Sequence, residues 1–298
     1  MPLPFPVRVA LAEPVTDLPV GDYAWEWKLD GHRLLLASTE TGPLVHAGRS
    51  GRDITRLFPD LTAVAEQLEV GTVLDGEGVV HHNGRIDFGA MQSRALASPR
   101  RAAKLARTLP AHFVAFDVLT HRGQDRRGWP YHRRRALLED LVAPVGPPLQ
   151  IMPMTREREQ ARAWLHDEDL AAAGVEGVLC KPWAQTYPGG RRGWLKIRPS
   201  APRDAVAVGY TGRARAPARL IVDLGDHLAL STPLSVEHRH LLAQALDASG
   251  SGGRAETARL DDGTVYWRLP RPLPVEVDHG TTRHAATTVR RLRPDLAD

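Results

Sequence analysis

The chain has 298 residues, of which 42% are apolar and 25% are charged, and its formal net charge at pH 7 is +4. This composition is typical of a globular chain with one large and one smaller domain. It contains neither a long apolar membrane span nor a signal peptide, and its single cysteine, Cys180, excludes an internal disulfide and a cysteine-based zinc site. We therefore expect a cytoplasmic protein.

Strands and helices alternate up to about residue 198. We predict two strands within residues 23–37, broken at Gly31, and a strand over 72–82 that turns at Asn83-Gly84 and returns over 85–88. Further strands are predicted over 112–119, 177–181 and 194–198. Predicted helices cover 61–68, 99–108, 133–142 and 156–173.

The pattern changes after residue 198. Residues 199–202 are typical of a linker, and the segments 205–210, 220–224, 265–269 and 274–277 are predicted strands. A helix over 236–248 interrupts them, followed by a flexible Gly- and Ser-rich loop at 248–254. We therefore predict two domains, 1–200 and 201–298, the second being a small β-barrel.

Lysine is rare, and its positions are informative. Only four of the 39 basic residues are lysine, and three of them, Lys28, Lys181 and Lys196, lie in short motifs. A lysine can become a nucleophile when its surroundings lower its pKa, whereas an arginine cannot. An arginine bias of the source would also explain this scarcity, and we accept that explanation for Lys104.

The segment 26–33 (EWKLDGHR) places a lysine between two carboxylates. In a strand, Glu26, Lys28 and Asp30 share one face. The pattern also fits a surface ladder of ion pairs, because opposite charges favour the protonated ammonium. Nearby cations or a metal ion would be needed to release the amine.

Three later segments carry charges suited to phosphate chemistry. Alternation puts Asp75 and Glu77 on one face of a strand, and Lys196 and Arg198 on one face of another, where the two cations could clamp a phosphate. Glu176 precedes a glycine that permits close approach to the backbone.

Taken together and in this order, these segments resemble the covalent nucleotidyltransferase superfamily, and most closely the ATP-dependent DNA ligases of bacteria. The family's Lys-x-Asp-Gly-x-Arg motif is matched in full at residues 28–33, and its other motifs resemble residues 48–55, 75–77, 116–119, 176–177 and 196–198. The resemblance implies an α+β fold. A nucleotidyltransferase (adenylation) domain of antiparallel sheets flanked by helices would be followed by a small OB-fold β-barrel, which the chain after Asp204 resembles.

The resemblance also implies how ATP would be held. Lys28 would attack the α-phosphorus, expel pyrophosphate and become adenylylated. Glu26 would accept a hydrogen bond from the adenine amino group, and Phe116 and Val178 would sandwich the ring. Phe116 lies in an apolar strand, where an aromatic side chain is more often plain core.

Other motif residues would contact the sugar, the phosphates and a metal ion. Contacts with ribose or phosphate are implied for Arg33, Arg49 and Glu77. A divalent cation, Mg²⁺ or Mn²⁺, would be held by Glu176, with Glu77 or Asp30. The α-phosphate would be neutralised by Lys196 and Arg198, helped by Arg191 or Arg192. The implied catalytic residues are Lys28, Asp30, Lys196 and Arg198.

The end of the chain departs from the family pattern. Residues 283–295 resemble the family's last motif, which orients the leaving pyrophosphate, but Ala285 and Leu296 stand where proline and lysine are usual. Arg198 likewise replaces a lysine. We expect these departures to affect the efficiency of the first step more than its existence.

The resemblance implies a nicked duplex as the partner: AMP would pass to a 5′-phosphate, which the neighbouring 3′-hydroxyl would then attack. We expect no large N-terminal DNA-clamping domain and no room for a polymerase or nuclease module, and a chain this short resembles minimal ligases of bacterial repair. We accordingly expect a nucleoid-associated monomer in the cytoplasm, with other repair proteins as possible partners.

Two alternatives remain open. One is an RNA ligase or capping-type guanylyltransferase, since nothing in the sequence separates DNA from RNA strands, although Glu26 favours adenine. The other is a non-catalytic relative that binds nucleic acid through its arginine clusters.

Overall fold

A computed structural model of the chain describes residues 3–248, 256–280 and 287–293. It divides into two compact units, Met1–Arg198 and Pro199–Asp298, and the division lies two residues before the predicted domain boundary. Most of the predicted loop at 248–254 lies outside the described residues. The same holds for Arg283, His284, Ala285 and Leu296 of the last motif.

The first unit contains twelve described strands in two sheets. In chain order they are β1 (Leu11–Pro14), β2 (Tyr23–Leu29), β3 (His32–Thr39), β4 (Gly42–Ala47), β5 (Thr72–His82), β6 (Arg85–Ile86), β7 (Ala111–His121), β8 (Gln124–Asp125), β9 (Leu149–Ile151), β10 (Met154–Thr155), β11 (Val175–Pro182) and β12 (Arg192–Ile197). The five-stranded sheet has the order β1-β12-β11-β2-β10. The seven-stranded sheet has the order β4-β3-β5-β7-β8, with β6 beside β5 and β9 beside β7. Pairing is antiparallel except for β1 with β12 and β7 with β9.

The first unit also contains six described helices. They are α1 (Pro59–Ala65), α2 (Phe88–Ala95), α3 (Pro99–Thr108), α4 (Tyr131–Val142), α5 (Arg158–Leu165) and α6 (Glu168–Ala173), with a 3₁₀ turn at Thr55–Leu57. Phe58, Leu61, Met91 and Leu138 pack against the seven-stranded sheet, and Ala161 of α5 packs against the five-stranded sheet. No helix within the described residues is long and apolar enough to span a membrane.

The inner faces of the two sheets share a core. Leu29 and Trp194 from the five-stranded sheet pack with Leu35, Val79 and Val114 from the seven-stranded sheet. Burial of this apolar surface, at about 25 cal/mol per Å², holds the sheets together. Charged side chains from both sheets meet at the border of this core.

The described residues of the second unit form a six-stranded antiparallel sheet and one helix. Its strands are β13 (Ser200–Arg213), β14 (Ala216–Asp223), β15 (Leu228–Leu230), β16 (Thr257–Arg259), β17 (Val265–Gly280) and β18 (Thr287–Leu292), in the order β15-β14-β13-β17-β16 with β18 beside β17. Helix α7 (Val236–Ala248) places Leu242 and Leu246 in the core of the unit.

Several predicted elements need correction. The predicted linker at 199–202 is wrong from residue 200 onward, because β13 begins there and pairs with β17. The predicted helix over 156–173 is two helices, since the Asp167 side chain accepts a hydrogen bond from Leu170 N (3.0 Å) and starts α6. The return strand over 85–88 ends at Ile86, because Asp87 caps the unpredicted helix α2 through Ala90 N (2.9 Å). The strands predicted at 265–269 and 274–277 are one strand, β17.

Candidate active site

Lys28 lies near the end of β2 and forms an ion pair with Glu176 Oε2. Arg198 Nη2 lies 3.0 Å from the same carboxylate oxygen. The Lys28 side chain is 22% exposed, whereas that of Glu176 is 4% exposed. A lysine that solvent can reach thus lies against a buried carboxylate shared with a second cation.

A bulge in β11 aims the Glu176 side chain at Lys28. Val175 pairs with Leu29 and Gly177 pairs with Lys28, so Glu176 is an extra residue in its strand. Gly177 has φ +148°, and a Cβ there would collide with the carbonyl oxygen of Ile197. Glycine is therefore required at the residue that follows Glu176.

The charges around Glu176 act on each other. Burial alone would raise the pKa of Glu176, but Lys28 and Arg198 outweigh burial, and the pKa is lowered. The pKa of Lys196 is also lowered, first by burial and then by the positive charges of Arg198, Lys28 and Arg49. Lys28 and Arg198 thus contact Glu176 directly, and Lys196 and Arg49 lie close enough to act on this group, which gives the site a cluster of positive charge suited to a phosphate group.

Glu77 reaches the same site from β5 of the opposite sheet. Burial raises its pKa to about 8, against the opposing effects of Lys28 and Arg33, and the negative charges of Asp75 and Glu176 add to the rise. Glu77 is therefore mostly protonated at neutral pH until a cation or a ligand lowers its pKa.

The acidic side chains of the site offer few ligands for a divalent cation. Within the described residues, no group of three or more His, Cys, Asp or Glu side chains is arranged to hold a metal ion. Glu176 Oε1 is nevertheless buried without a hydrogen-bond partner. One or two carboxylates fit Mg²⁺, which is commonly held by such a set together with substrate phosphates and water.

Arg33 is held by protein groups. Its Nε and Nη2 atoms donate to the two oxygens of Asp75 at 2.9 and 2.6 Å, and its guanidinium carbon lies 5.3 Å from the ring centres of both Phe116 and Trp194. Tyr187 Oη donates to Asp75 Oδ2 at 2.6 Å. Arg33 therefore orders the wall of the site, and its contact with ribose or phosphate stays a prediction.

Glu26 is fully buried beneath the site. Its Oε2 lies 2.7 Å from Lys181 Nζ, its Oε1 accepts a hydrogen bond from Tyr131 Oη, and Arg135 Nη1 lies 3.6 Å from Oε1. Lys181 Nζ also donates to the Phe116 carbonyl oxygen at 2.7 Å. Both Glu26 oxygens thus have protein neighbours, and the contact with adenine stays a prediction.

The prediction that Phe116 and Val178 face each other across a ring is wrong. Val178 pairs with Trp27 and packs in the cluster beneath α5. Leu179 pairs with Glu26 and packs against the cluster that contains Phe116. The bulge at Glu176 shifts the alternation by one residue, so Leu179 takes the face that Val178 would otherwise occupy.

The remaining predicted residues lie at different depths around the site. Asp30 follows β2, with its side chain beside Glu176 and its backbone N–H donating to Gly174 O at 3.2 Å. Arg49 is exposed in the turn after β4 but is close enough to influence Lys196. Arg191 and Arg192 are exposed at the start of β12. Lys196 lies four positions after Arg192, about 13 Å along a strand, so the role of Arg192 stays a prediction.

Four residues of the site received no role from the sequence. They are Tyr131, Lys181, Tyr187 and Trp194, and they hold Glu26, Phe116 and Asp75 in place. The only signal was the presence of Lys181 among the four lysines. The others contact partners far away in the chain, which a local pattern does not reveal.

Sequence comparison agrees with this geometry. The family model for the ATP dependent DNA ligase domain matches residues 8–198, the whole span that carries the converging charges. DNA ligase C2 of Mycolicibacterium smegmatis is 36% identical over 212 residues, covering 70% of this chain and 58% of the relative. DNA ligase C of Mycobacterium tuberculosis is 34% identical over 216 residues, covering 70% and 59%. The match thus spans less than two thirds of these relatives.

Two solved structures extend the likeness over both units. Mycobacterial DNA ligase D in complex with ATP and MES has a TM-score of 0.54 at 26% identity, covering 98% of this chain and 96% of that one. The ligase domain of M. tuberculosis LigD has a TM-score of 0.56 at 26% identity, with the same coverage. The family match, together with the charged site and these likenesses, shows that the chain belongs to the ATP-dependent DNA ligase family.

Proposed function

We propose that this chain is an ATP-dependent polynucleotide ligase that adenylylates itself on Lys28 and seals nicks in duplex DNA. The observation that carries the proposal is the contact of Lys28 with Glu176, surrounded by Arg198, Lys196 and Arg49. A lysine nucleophile in a strongly positive site suits attack on a phosphate.

In the first step, Lys28 Nζ in its amine form attacks the α-phosphorus of ATP. The Nζ–P bond forms as the bond from phosphorus to the pyrophosphate oxygen breaks, and the Nζ proton is released. Lys196 and Arg198 would stabilise the negative charge on the α-phosphate, because fixed cations in a partly buried site act strongly on developing charge. Phe116 and Leu179 supply the apolar surfaces for adenine.

Glu176 and Glu77 are the groups that would hold a divalent cation, Mg²⁺ or Mn²⁺. When bound, such a cation neutralises phosphate charge. Cation binding also requires Glu77 to lose its proton, because a carboxylate ligand is the ionised form.

Two further steps complete the proposed reaction. The 5′-phosphate at a nick attacks the adenylylated lysine, Lys28 leaves, and AMP becomes linked to the phosphate. The neighbouring 3′-hydroxyl then attacks that phosphate, forms the phosphodiester bond and releases AMP. We propose that the second unit, with its antiparallel sheet and helix α7, is an OB-fold that binds the duplex.

A role in DNA repair, in the cytoplasm and as a monomer, forms part of this proposal. The role in repair is supported by relatives such as the M. smegmatis LigD, which is 34% identical over 178 residues and is named a multifunctional non-homologous end joining protein. Other repair proteins are the corresponding proposed partners.

The test is incubation with ATP or GTP labelled at the α-phosphate, with Mg²⁺ or Mn²⁺. Label from ATP that survives SDS and is lost in acid supports the proposal. Label from GTP but not from ATP indicates a capping-type enzyme. The absence of label under every condition indicates a non-catalytic binding protein. Nicked duplexes with DNA or RNA strands then separate a DNA ligase from an RNA ligase.

A further inference from the structure

Helix α3 presents an uncompensated row of positive charge. Arg100, Arg101, Lys104 and Arg107 are all exposed, and the helix contains no acidic residue. Within the described part of the chain, none of these four side chains forms an ion pair. Acidic residues at i+3 or i+4 would pair with such cations and stabilise the helix, and α3 has none.

The row is held in a fixed orientation. Ala102 is fully buried and Leu105 is 8% exposed, and these two residues anchor the opposite side of the helix. Arg100, Lys104 and Arg107 stand at i, i+4 and i+7, which places them on one face. From Arg100 to Arg107 the helix rises about 10 Å.

The positive surface continues beyond α3. The helix packs against the 3₁₀ turn Thr55–Leu57, where Arg52 and Arg56 are exposed. An open groove of about 440 Å³ lies between this turn and the start of α3, and both arginines line it. Its one acidic residue, Asp53, accepts hydrogen bonds from Thr55 N (2.9 Å) and Oγ1 (2.6 Å), and Arg56 is close enough to help lower the pKa of this carboxyl, so two arginines face one acidic group here.

A tight turn connects this surface to the candidate active site. Ala47 N donates to Arg52 O at 2.9 Å, and Gly51 N donates to Ala47 O at 2.7 Å. Arg49 lies within the turn and acts electrostatically on Lys196. Positive charge therefore runs from Lys196, through Arg49 and Arg52, to α3.

We propose that Arg52, Arg56 and the cations of α3 bind the phosphate backbone of the duplex beside the nick. Phosphates along one DNA strand are spaced by about 3.4 Å of helix axis, so the row on α3 matches about three of them. Exposed guanidinium groups suit phosphate oxygens, which they can bind through two parallel hydrogen bonds. Acidic proteins would also be attracted, but continuity with the phosphate-directed cations of the site favours nucleic acid. The inference rests on the proposed function for the identity of the ligand.

The test compares two triple variants with the same loss of charge. Arg100→Gln/Lys104→Gln/Arg107→Gln removes the row on α3. Arg85→Gln/Arg122→Gln/Arg162→Gln removes three solvent-facing cations elsewhere in the same unit, two of which pair with Glu69 and Glu159. Each is assayed for binding to a nicked DNA duplex over a range of salt concentrations, for nick sealing, and for self-adenylylation with ATP alone.

We expect the α3 variant to bind the nicked duplex at least tenfold more weakly at low salt. The slope of log K against log salt concentration should become less steep by about two to three, because each phosphate contact contributes about 0.9 to its magnitude. Its self-adenylylation should match wild type, which also shows that it folds, and the control should bind as wild type does. Arg52→Gln/Arg56→Gln should weaken binding in the same direction.

The inference would be overturned if the α3 variant, the control and the wild type had equal duplex affinities and salt slopes. It would also be overturned if both triple variants lost the same amount of duplex affinity. Failure of the wild type to adenylylate itself would instead overturn the proposed function. The duplex-binding comparison does not need ATP, so it still decides the inference in that case.

Discussion

Lys181 Nζ lies 2.7 Å from Glu26 Oε2, and neither side chain is exposed. The ammonium group is also within 5 Å of the ring centres of Phe116, Tyr131 and Trp194. Burial lowers the pKa of Lys181, while the Glu26 carboxylate opposes that effect. This pair connects β2 to β11 directly beneath Phe116 and so fixes the floor of the candidate nucleotide site.

Breaking this pair should destabilise the protein strongly. Lys181→Met leaves Glu26 as a buried charge without its ammonium partner, which costs about 3–5 kcal/mol. Urea unfolding of Lys181→Met, Glu26→Gln and the double variant measures the coupling. We expect the double variant to lose less than the sum of the single losses. Additive losses would show that the two groups do not depend on each other.

Leu179 and Val178 should differ in their effects on ATP. In a Lys28→Arg background, which prevents covalent reaction, Leu179→Ala should weaken ATP binding about tenfold, or about 1.4 kcal/mol, because it removes an apolar side chain that packs against the cluster containing Phe116. Val178→Ala should leave the affinity within about twofold and instead lower the free energy of unfolding, by about 1–2 kcal/mol. Calorimetric titration checks both, and the opposite ranking would restore Val178 to the site.

Glu176→Ala should impair chemistry far more than binding. The substitution removes the carboxylate that contacts Lys28 and Arg198, together with a proposed cation ligand. We expect the single-turnover rate of self-adenylylation to fall on the order of 10²–10³-fold, with the ATP dissociation constant changed only a few-fold. Equal losses in rate and affinity would argue against a metal-binding or positioning role.

Glu77 should make stability depend on pH. Its pKa is raised from 4.5 to about 8 in the folded protein, so the native state retains a proton that the unfolded chain loses. Its contribution to stability is therefore complete below pH 4.5 and is lost as the pH rises through 8. Glu77→Gln should gain stability relative to wild type between pH 5 and 9, by at most about 5 kcal/mol at about 1.4 kcal/mol per pKa unit.

Thermal or urea unfolding at several pH values checks this slope. The matched control is Glu66→Gln at the exposed end of α1, which should follow wild type across the range. A difference between Glu77→Gln and wild type that stays constant with pH would contradict the raised pKa of Glu77.

The sequence pattern correctly predicted the bounds of elements that depend on interactions between residues close together in the chain. Helix α3 has the predicted bounds because Ser98 caps it through Arg101 N (3.4 Å) and Pro99 takes its first position. Strand β5 also has its predicted bounds. The alternation of side chains predicted around Lys28 holds up to the end of β2, because this segment is a regular strand over Tyr23–Leu29.

Other features depend on contacts that no local pattern encodes. Phe116 is left unpaired at a bulge in β7, as Glu176 is in β11. Such bulges reverse the alternation of side chains along a strand, so Val178, which the family resemblance implied, lies on the opposite face from Leu179. Tyr187 and Asp75 meet only because β5 and the segment before β12 are brought together by the fold. The beginning of β13 was predicted to be a linker because Pro199 and Pro202 are typical of one, and its pairing with β17 depends on residues far away in the chain.

The most direct test is to find where AMP becomes attached. The protein is incubated with ATP and a divalent cation, digested, and analysed by mass spectrometry alongside Lys28→Arg, which keeps the positive charge but not the nucleophile. We predict one AMP group on Lys28 in the wild type and none in the variant. AMP attached to another residue, or an adenylylated Lys28→Arg protein, would contradict the central claim.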